Sequence, residues 1–293
     1  MHYMDRNKLL SIGFSPCPND TFIFNGLVHK TLGNACALFD TEVLADVETL
    51  NQWAMQGKLD VTKLSFHALG HVLDTYTLLQ SGGALGRGCG PLLVAREKFS
   101  RDDLPAKKIA IPGRYTTAAM LLGMFAPECA NLVVLPFEKI MPSIVAKEVD
   151  GGVIIHESRF TYLGYGLHCV QDLGAWWEDV SGHPIPLGGI VAKRSLGKEL
   201  IQNIDQCIRK SVQWAFANRE QAMAYIRTKA QELDDNVICE HINLYVNSFS
   251  EGLGSEGLAA VEDFLERGRQ AGVLPESSFP VTEFISHHET RHL

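Results

Sequence analysis

Apolar and polar positions along this chain fall into blocks that occur twice. Leu9 to Phe14 reads as an apolar strand that runs into Ser15-Pro16-Cys17-Pro18-Asn19-Asp20. The two prolines fix φ and push the residues before them out of helical geometry, so the pattern predicts a helix over Thr21 to Lys30 capped by Asn19 or Asp20. A strand Leu38 to Leu44, a helix Glu48 to Gln56 and a strand Leu59 to Ser65 follow. The second block starts with the strand Lys108 to Ile111, turns at Pro112-Gly113-Arg114-Tyr115 and enters a helix at Thr116-Thr117. It continues with a strand Leu132 to Leu135, a helix Phe137 to Glu148 and a strand over Val149 to His156. Strand and helix alternating at this spacing imply parallel sheets with helices on their faces.

Two blocks of one layout predict two lobes around a cleft. Each block ends its third strand in a polar residue, Ser65 in one and His156 in the other, where open α/β sheets receive ligands. The Gly-rich segment Gly82 to Pro91 leads into the apolar Leu92 to Ala95 and not into a helix, so it reads as a closely packed crossing and not as a phosphate loop. A return crossing is expected near Pro184 to Ala192. Beyond it, Ser195 to Ala230, Asp234 to Ser248 and Ser255 to Ala271 read as amphipathic helices covering the first lobe. The layout resembles the type II periplasmic-binding-protein fold, with residues 1–95 and 190–293 as a discontinuous first lobe and 96–189 as the second.

Composition narrows the function. At 293 residues, 46% hydrophobic and 20% charged, the chain suits a globular α/β protein, and a net charge of -8 argues against a nucleic-acid partner. No apolar run approaches the roughly 20 residues of a membrane span. The N-terminus has no apolar stretch of secretory type, which leads us to expect a cytoplasmic protein. Seven cysteines, odd in number and without a C-x-x-C pair, read as reduced thiols. Oligomeric state is left open.

Several residues carry chemical possibilities beside plainer roles. A strand end feeding a helix N-terminus, as at Asn19 and Asp20, offers N–H donors and a positive dipole end to a carboxylate or phosphate. Thr116 and Thr117 can do the same or simply cap their helix. His156 can exchange a proton near neutral pH, or be structural. Strand alternation leaves open whether Lys63 shares the face of Ser65. Arg114 reads as a carboxylate clamp or an exposed turn residue, and Trp176-Trp177 as a stacking surface or core. Cys17 sits in the site turn and reads as packing or backbone geometry. The tail His287-His288-Glu289 and His292 shows no metal-ligand spacing with a second cluster, and no metal is assigned.

Ser-Pro-Cys-Pro-Asn-Asp-Thr-Phe, Lys63-Leu64-Ser65, Pro-Gly-Arg-Tyr-Thr-Thr and Ile-His-Glu together resemble the 1,4-dihydroxy-6-naphthoate synthases, the MqnD enzymes of the futalosine route to menaquinone. The resemblance implies a carbon–carbon lyase that converts cyclic dehypoxanthine futalosine, a small carboxylate, into 1,4-dihydroxy-6-naphthoate with release of the sugar-derived fragment. It implies no redox cofactor, His156 as the base, and substrate contacts from Lys63, Leu64, Ser65, Thr116 and Thr117, with Asn19, Asp20 and Arg114 as further candidates. Chorismate dehydratase of the same pathway and a noncatalytic solute-binding protein are the alternatives.

Overall fold

The computed structural model describes residues 9–230 and 234–281. Its strands are β1 (Leu10–Phe14), β2 (Phe39–Leu44), β3 (Val61–Ser65), β4 (Tyr76–Leu78), β5 (Ala84–Gly86), β6 (Leu92–Ala95), β7 (Ile109–Ile111), β8 (Leu132–Val134), β9 (Gly151–Ile154), β10 (His168–Asp172) and β11 (Ile185–Lys193). The α-helices are α1 (Pro18–Val28), α2 (Val47–Met55), α3 (Phe66–His71), α4 (Thr117–Phe125), α5 (Phe137–Val145), α6 (Ser158–Thr161), α7 (Leu173–Ser181), α8 (Lys198–Ala217), α9 (Arg219–Arg227), α10 (Asp235–Tyr245), α11 (Ser248–Glu251) and α12 (Gly254–Gln270).

These strands form two sheets, of order β2-β1-β3-β11-β4 with β5 also paired to β11, and β10-β6-β9-β7-β8. Each sheet holds three parallel strands in the spatial order second, first, third, the repeat seen in the sequence pattern. The fourth neighbour is antiparallel and enters from the other lobe: β11 lies beside β3 with Gly188 opposite Ser65, and β6 beside β9 with Leu92 opposite Ile154. The two exchanged strands move the expected lobe limits. Leu92–Ala95 belongs to the second sheet although a limit at 95 put it in the first lobe, and Ile185–Gly189 is already in the first. The crossings therefore fall between β5 and β6 and between α7 and β11, because a crossing chain becomes a strand as soon as it meets the unpaired edge of the other sheet.

The local chemistry of β1 and α1 explains the start of the fold. β1 is flanked by β2 and β3 and reads as a near-continuous apolar run because both faces are covered. Phe14 stacks on Phe24 with ring centroids 4.4 Å apart, and both are fully buried; each such side chain contributes on the order of 1.5–3 kcal/mol. The helix starts earlier than expected, at Pro18, with Cys17 in the extended cap position. Proline suits the first helical position, where its missing N–H would have no partner and its φ is already helical.

The C-terminal helices divide their packing. Ile201, Ile204, Ile208 and Val212 of α8 and Ile238 and Ile242 of α10 share a core with β1 and α1, as expected for a cover on the first lobe. In contrast, α12 packs on α3, β11 and α4, so it touches both lobes. Trp177 is buried, lies edge-on to Phe264 and donates its indole N–H to Pro184, and Trp176 packs on Phe125; neither is a stacking surface for a ligand. Cys36 and Cys207 form a disulfide, which corrects the expectation of seven reduced thiols. Among the described residues no helix is long and apolar enough to cross a membrane, and the histidine-rich tail lies outside them.

The first crossing carries the tightest backbone contact. A Cβ added at Gly90 would stand 2.3 Å from Gly174 Cα and 2.7 Å from its N, and both obstacles are backbone. Gly90→Ala is therefore expected to destabilise by about 1–3 kcal/mol, the usual cost of overpacking. Thermal unfolding should report this as a fall of several degrees in Tm; an unchanged Tm would show that the two backbones separate freely.

Candidate active site

The carboxyl ends of β1, β3, β7 and β9 open on one cleft of about 680 Å³, mouth included, bordered among others by Ser15, Asn19, Asp20, Lys63, Ser65, Thr116, Thr117, His156 and His241. At its floor Lys63 Nζ lies 3.2 Å from Asp20 Oδ1, with the two side chains only 5% and 3% exposed. Lys63 also donates to the Gly82 carbonyl at 3.0 Å. Asp20 Oδ2 accepts from the N–H and the hydroxyl of Ser15, at 3.1 and 2.7 Å, and Oδ1 from Asn19 Nδ2 at 2.9 Å. Residues two apart on a strand point the same way. Lys63 and Ser65 hence share a face, and both border the cleft; Leu64 borders it too while its side chain packs in the core.

The turn before α4 is built from the opposite lobe. Glu48 of α2 accepts from Arg114 N at 2.9 Å and from Tyr115 N at 3.2 Å, and burial raises its pKa, with the hydrogen bonds opposing. A Cβ at Gly113 would lie 2.3 Å from a Glu48 carboxylate oxygen, so a larger residue there would have to displace this carboxylate. Asn51 of the same helix donates to the Tyr115 carbonyl and to Ser65 Oγ, and accepts from Ser65 N. Nothing in their spacing marked Glu48 or Asn51 in the sequence, because their partners are backbone groups 64 to 67 residues away.

Thr116 is the N-cap of α4: its hydroxyl accepts from Ala119 N and donates to the Gly113 carbonyl. Thr117 donates its hydroxyl to the Leu187 carbonyl at 2.7 Å. Both hydroxyl protons are thus committed within the protein. What remains for a ligand is the N–H of Thr117 and of Ala118, the first donors of the helix, which meet no acceptor among the described residues. The Ser65 hydroxyl accepts from Asn51 and keeps its own proton to give. Arg114 is exposed and borders a separate surface groove with Gln52 and Val134, so the geometry does not bring it to the cleft.

His156 stands two residues beyond β9, not within the strand, and has a left-handed backbone with φ 55°. Its ring lies edge-on to Phe137, and Nδ1 is 3.4 Å from Cys17 Sγ. Burial lowers its pKa; Glu157, Asp20 and Asp46 oppose that shift and Lys63 adds to it. Cys17 is the reverse case: burial, then the Glu157 charge, push the thiol well above its ordinary range, so it stays protonated. The pair is accordingly a neutral thiol beside a neutral imidazole, and not an ion pair primed for nucleophilic attack. Cys17 Sγ, His156 Nδ1 and a Glu157 oxygen lie within 4.8 Å of one another and could converge on a cation, at the cost of ionising that thiol. In the tautomer with the ring proton on Nδ1, directed at the Cys17 sulfur, Nε2 keeps the lone pair that can accept a proton.

Comparison with known proteins adds an independent line. A family model described as menaquinone biosynthesis matches residues 10–270. Proteins named 1,4-dihydroxy-6-naphtoate synthase are similar to this chain: one from Thermus thermophilus is 48% identical over 94% of this chain and 99% of its own length, and one from Streptomyces coelicolor is 44% identical over 91% and 95%. A crystal structure of an Archaeoglobus fulgidus protein superposes with a TM-score of 0.86 at 32% identity, covering 92% of this chain and all of that one. The alkanesulfonate-binding protein SsuA of Xanthomonas axonopodis pv. citri, bound to MOPS, gives a TM-score of 0.69 at 13% identity, covering 92% and 94%, a likeness of fold alone. The two lobes with their exchanged strands thus have the periplasmic-binding-protein fold, and the chain belongs to the menaquinone-biosynthesis family that includes the 1,4-dihydroxy-6-naphthoate synthases.

Proposed function

We propose that this protein is a carbon–carbon lyase that converts cyclic dehypoxanthine futalosine into 1,4-dihydroxy-6-naphthoate, with His156 as the base. The observation that carries the proposal is the meeting, in one cleft, of a neutral imidazole with a free Nε2 and a set of donors suited to a carboxylate. The substrate carboxylate lies against the N–H groups of Thr117 and Ala118, at the positive end of α4, and accepts a hydrogen bond from the Ser65 hydroxyl. Lys63 acts at one remove: its charge is spent on Asp20, and it holds the turn that carries Cys17. Asn19 and Asp20 belong to the same support.

In this reading His156 Nε2 takes a proton from the bound substrate. The electron pair left behind drives the carbon–carbon bond apart, and the aromatic ring that forms in the product makes the step downhill. The chemistry is proton transfer and bond cleavage, with no redox change required of the protein. Names of both relatives favour this step over the chorismate dehydration that the sequence left open. A cytoplasmic location is part of the same proposal and rests on the biosynthetic role.

His156→Asn is the decisive variant, since asparagine tolerates the left-handed backbone that this position imposes and so removes the base without straining the turn. Naphthoate formation is expected to fall by about 10²- to 10⁴-fold, the usual contribution of a general base. Calorimetric affinity for the substrate should change little. Near-normal turnover, followed by mass spectrometry of the naphthoate, would remove His156 from the mechanism.

The pH profile gives a second test. A base works unprotonated, and a pKa lowered by burial keeps it so at pH values where an ordinary histidine is already charged. The acid limb of kcat/KM, which reports the free enzyme, should consequently fall below the ordinary histidine value of 6.5. A limb at or above that value would mean that the carboxylates around His156 outweigh its burial.

A further inference from the structure

Beside the base the cleft holds a polar pair that the mechanism above does not use. His241 of α10 borders the cleft, is only 1% exposed, and has its Nε2 3.0 Å from Asn19 Oδ1. The donor in that contact follows from what lies behind it. Asp20 Oδ1 can only accept, so Asn19 turns its NH₂ toward Asp20 and its carbonyl oxygen toward His241, whose Nε2 must donate. Burial, and then the neighbouring His156, keep the His241 ring neutral. A neutral ring with its proton on Nε2 carries a lone pair on Nδ1.

That lone pair faces a second acceptor. Nδ1 lies 3.7 Å from Glu157 Oε2, both atoms are buried, and neither meets a donor among the described residues. Buried acceptors are nearly always paired, and each one left unpaired costs about 1–3 kcal/mol. Two of them turned toward each other, both closed to solvent, can take hydrogen-bond donors from outside once the two side chains part. His156 borders both the cleft and the side pocket that Glu157 lines, so the pair is next to the base.

Resting on the lyase reading, we propose that His241 Nδ1 and Glu157 Oε2 form a subsite that accepts the hydroxyls of the sugar-derived part of the substrate, while the N-terminus of α4 holds its carboxylate. Hydroxyls on adjacent carbons are the fitting chemistry, one donor for each acceptor, and a negatively charged group is refused. The pair is a specificity device: it reads adjacent hydroxyls on the fragment that leaves, whereas the two hydroxyls of the naphthoate product lie on opposite ring carbons.

The test uses Glu157→Gln and His241→Phe in the His156→Asn background, so that substrate can be titrated without turnover. In Glu157→Gln the new amide can donate to Nδ1, and in His241→Phe a ring fills the same space while the Nδ1 acceptor is removed. Each should weaken calorimetric binding of cyclic dehypoxanthine futalosine by about 10-fold or more, as expected for a hydrogen bond to a charged or buried group, and leave naphthoate affinity within about twofold because that ligand lacks the fragment. Glu157→Gln should also raise Tm of the unliganded protein by filling the unpaired acceptors. Equal weakening of both ligands, or unchanged substrate affinity, overturns the subsite; a fall in Tm for Glu157→Gln overturns the unpaired acceptor geometry. If the wild type makes no naphthoate, the lyase reading and the sugar-fragment assignment fall together, whereas a raised Tm in Glu157→Gln would still uphold the acceptor pair.

Discussion

The buried ion pair between Lys63 and Asp20 is the contact on which the site depends. Two charges taken out of water recover their desolvation only when good geometry is joined by further hydrogen bonds, and here they are: Asp20 is met by Ser15 and Asn19 as well as by Lys63, and Lys63 by the Gly82 carbonyl as well as by Asp20. In meeting them the pair ties the turn after β1, the end of β3 and the start of the Gly-rich crossing into one unit. Through Asn19 it also orients His241. Losing one partner of such a pair costs about 3–5 kcal/mol because the other charge stays buried and unmatched, so the lysine serves the site as structure before it serves as charge.

The second constraint is the joint between lobes. α2 reaches across with Glu48 and Asn51 and takes hold of the backbone of residues 114 and 115, immediately before the donors of α4. Asn51 at the same time fixes Ser65 from the other side. One helix thereby contacts both halves of the proposed carboxylate site, Ser65 on one lobe and the turn before α4 on the other. The threonines that look most ligand-like, Thr116 and Thr117, spend their hydroxyls on carbonyls and offer backbone instead.

Much of this was legible in the sequence, and the failures have physical reasons. The two parallel blocks, the cap at Thr116 and the convergence of Ser65 and His156 followed from strand ends and turn chemistry, which are local. The helix begins at Pro18, ahead of the capping residues Asn19 and Asp20, because proline fits the first helical turn. Lobe limits shifted by a few residues since pairing partners decide where a crossing becomes a strand. Arg114 was drawn to the cleft by its neighbours in sequence, yet its side chain faces away from the turn's functional face. Glu48, Asn51 and His241 gave no signal at all: each acts through a contact more than 60 residues distant or, for His241, through an asparagine 222 residues away.

His156 brings these strands of argument together. The left-handed backbone that carries it is uncommon outside glycine, although asparagine, aspartate and histidine adopt it more readily than other residues, and a conformation of that kind persists where surrounding contacts impose it. Phe137 on one side and Cys17 on the other supply them. The same burial that imposes the geometry also lowers the pKa, against three carboxylates that would raise it. Two residues beyond the buried end of β9, in a turn roofed by an aromatic ring and backed by a thiol that stays protonated, the imidazole is fixed in direction and held neutral.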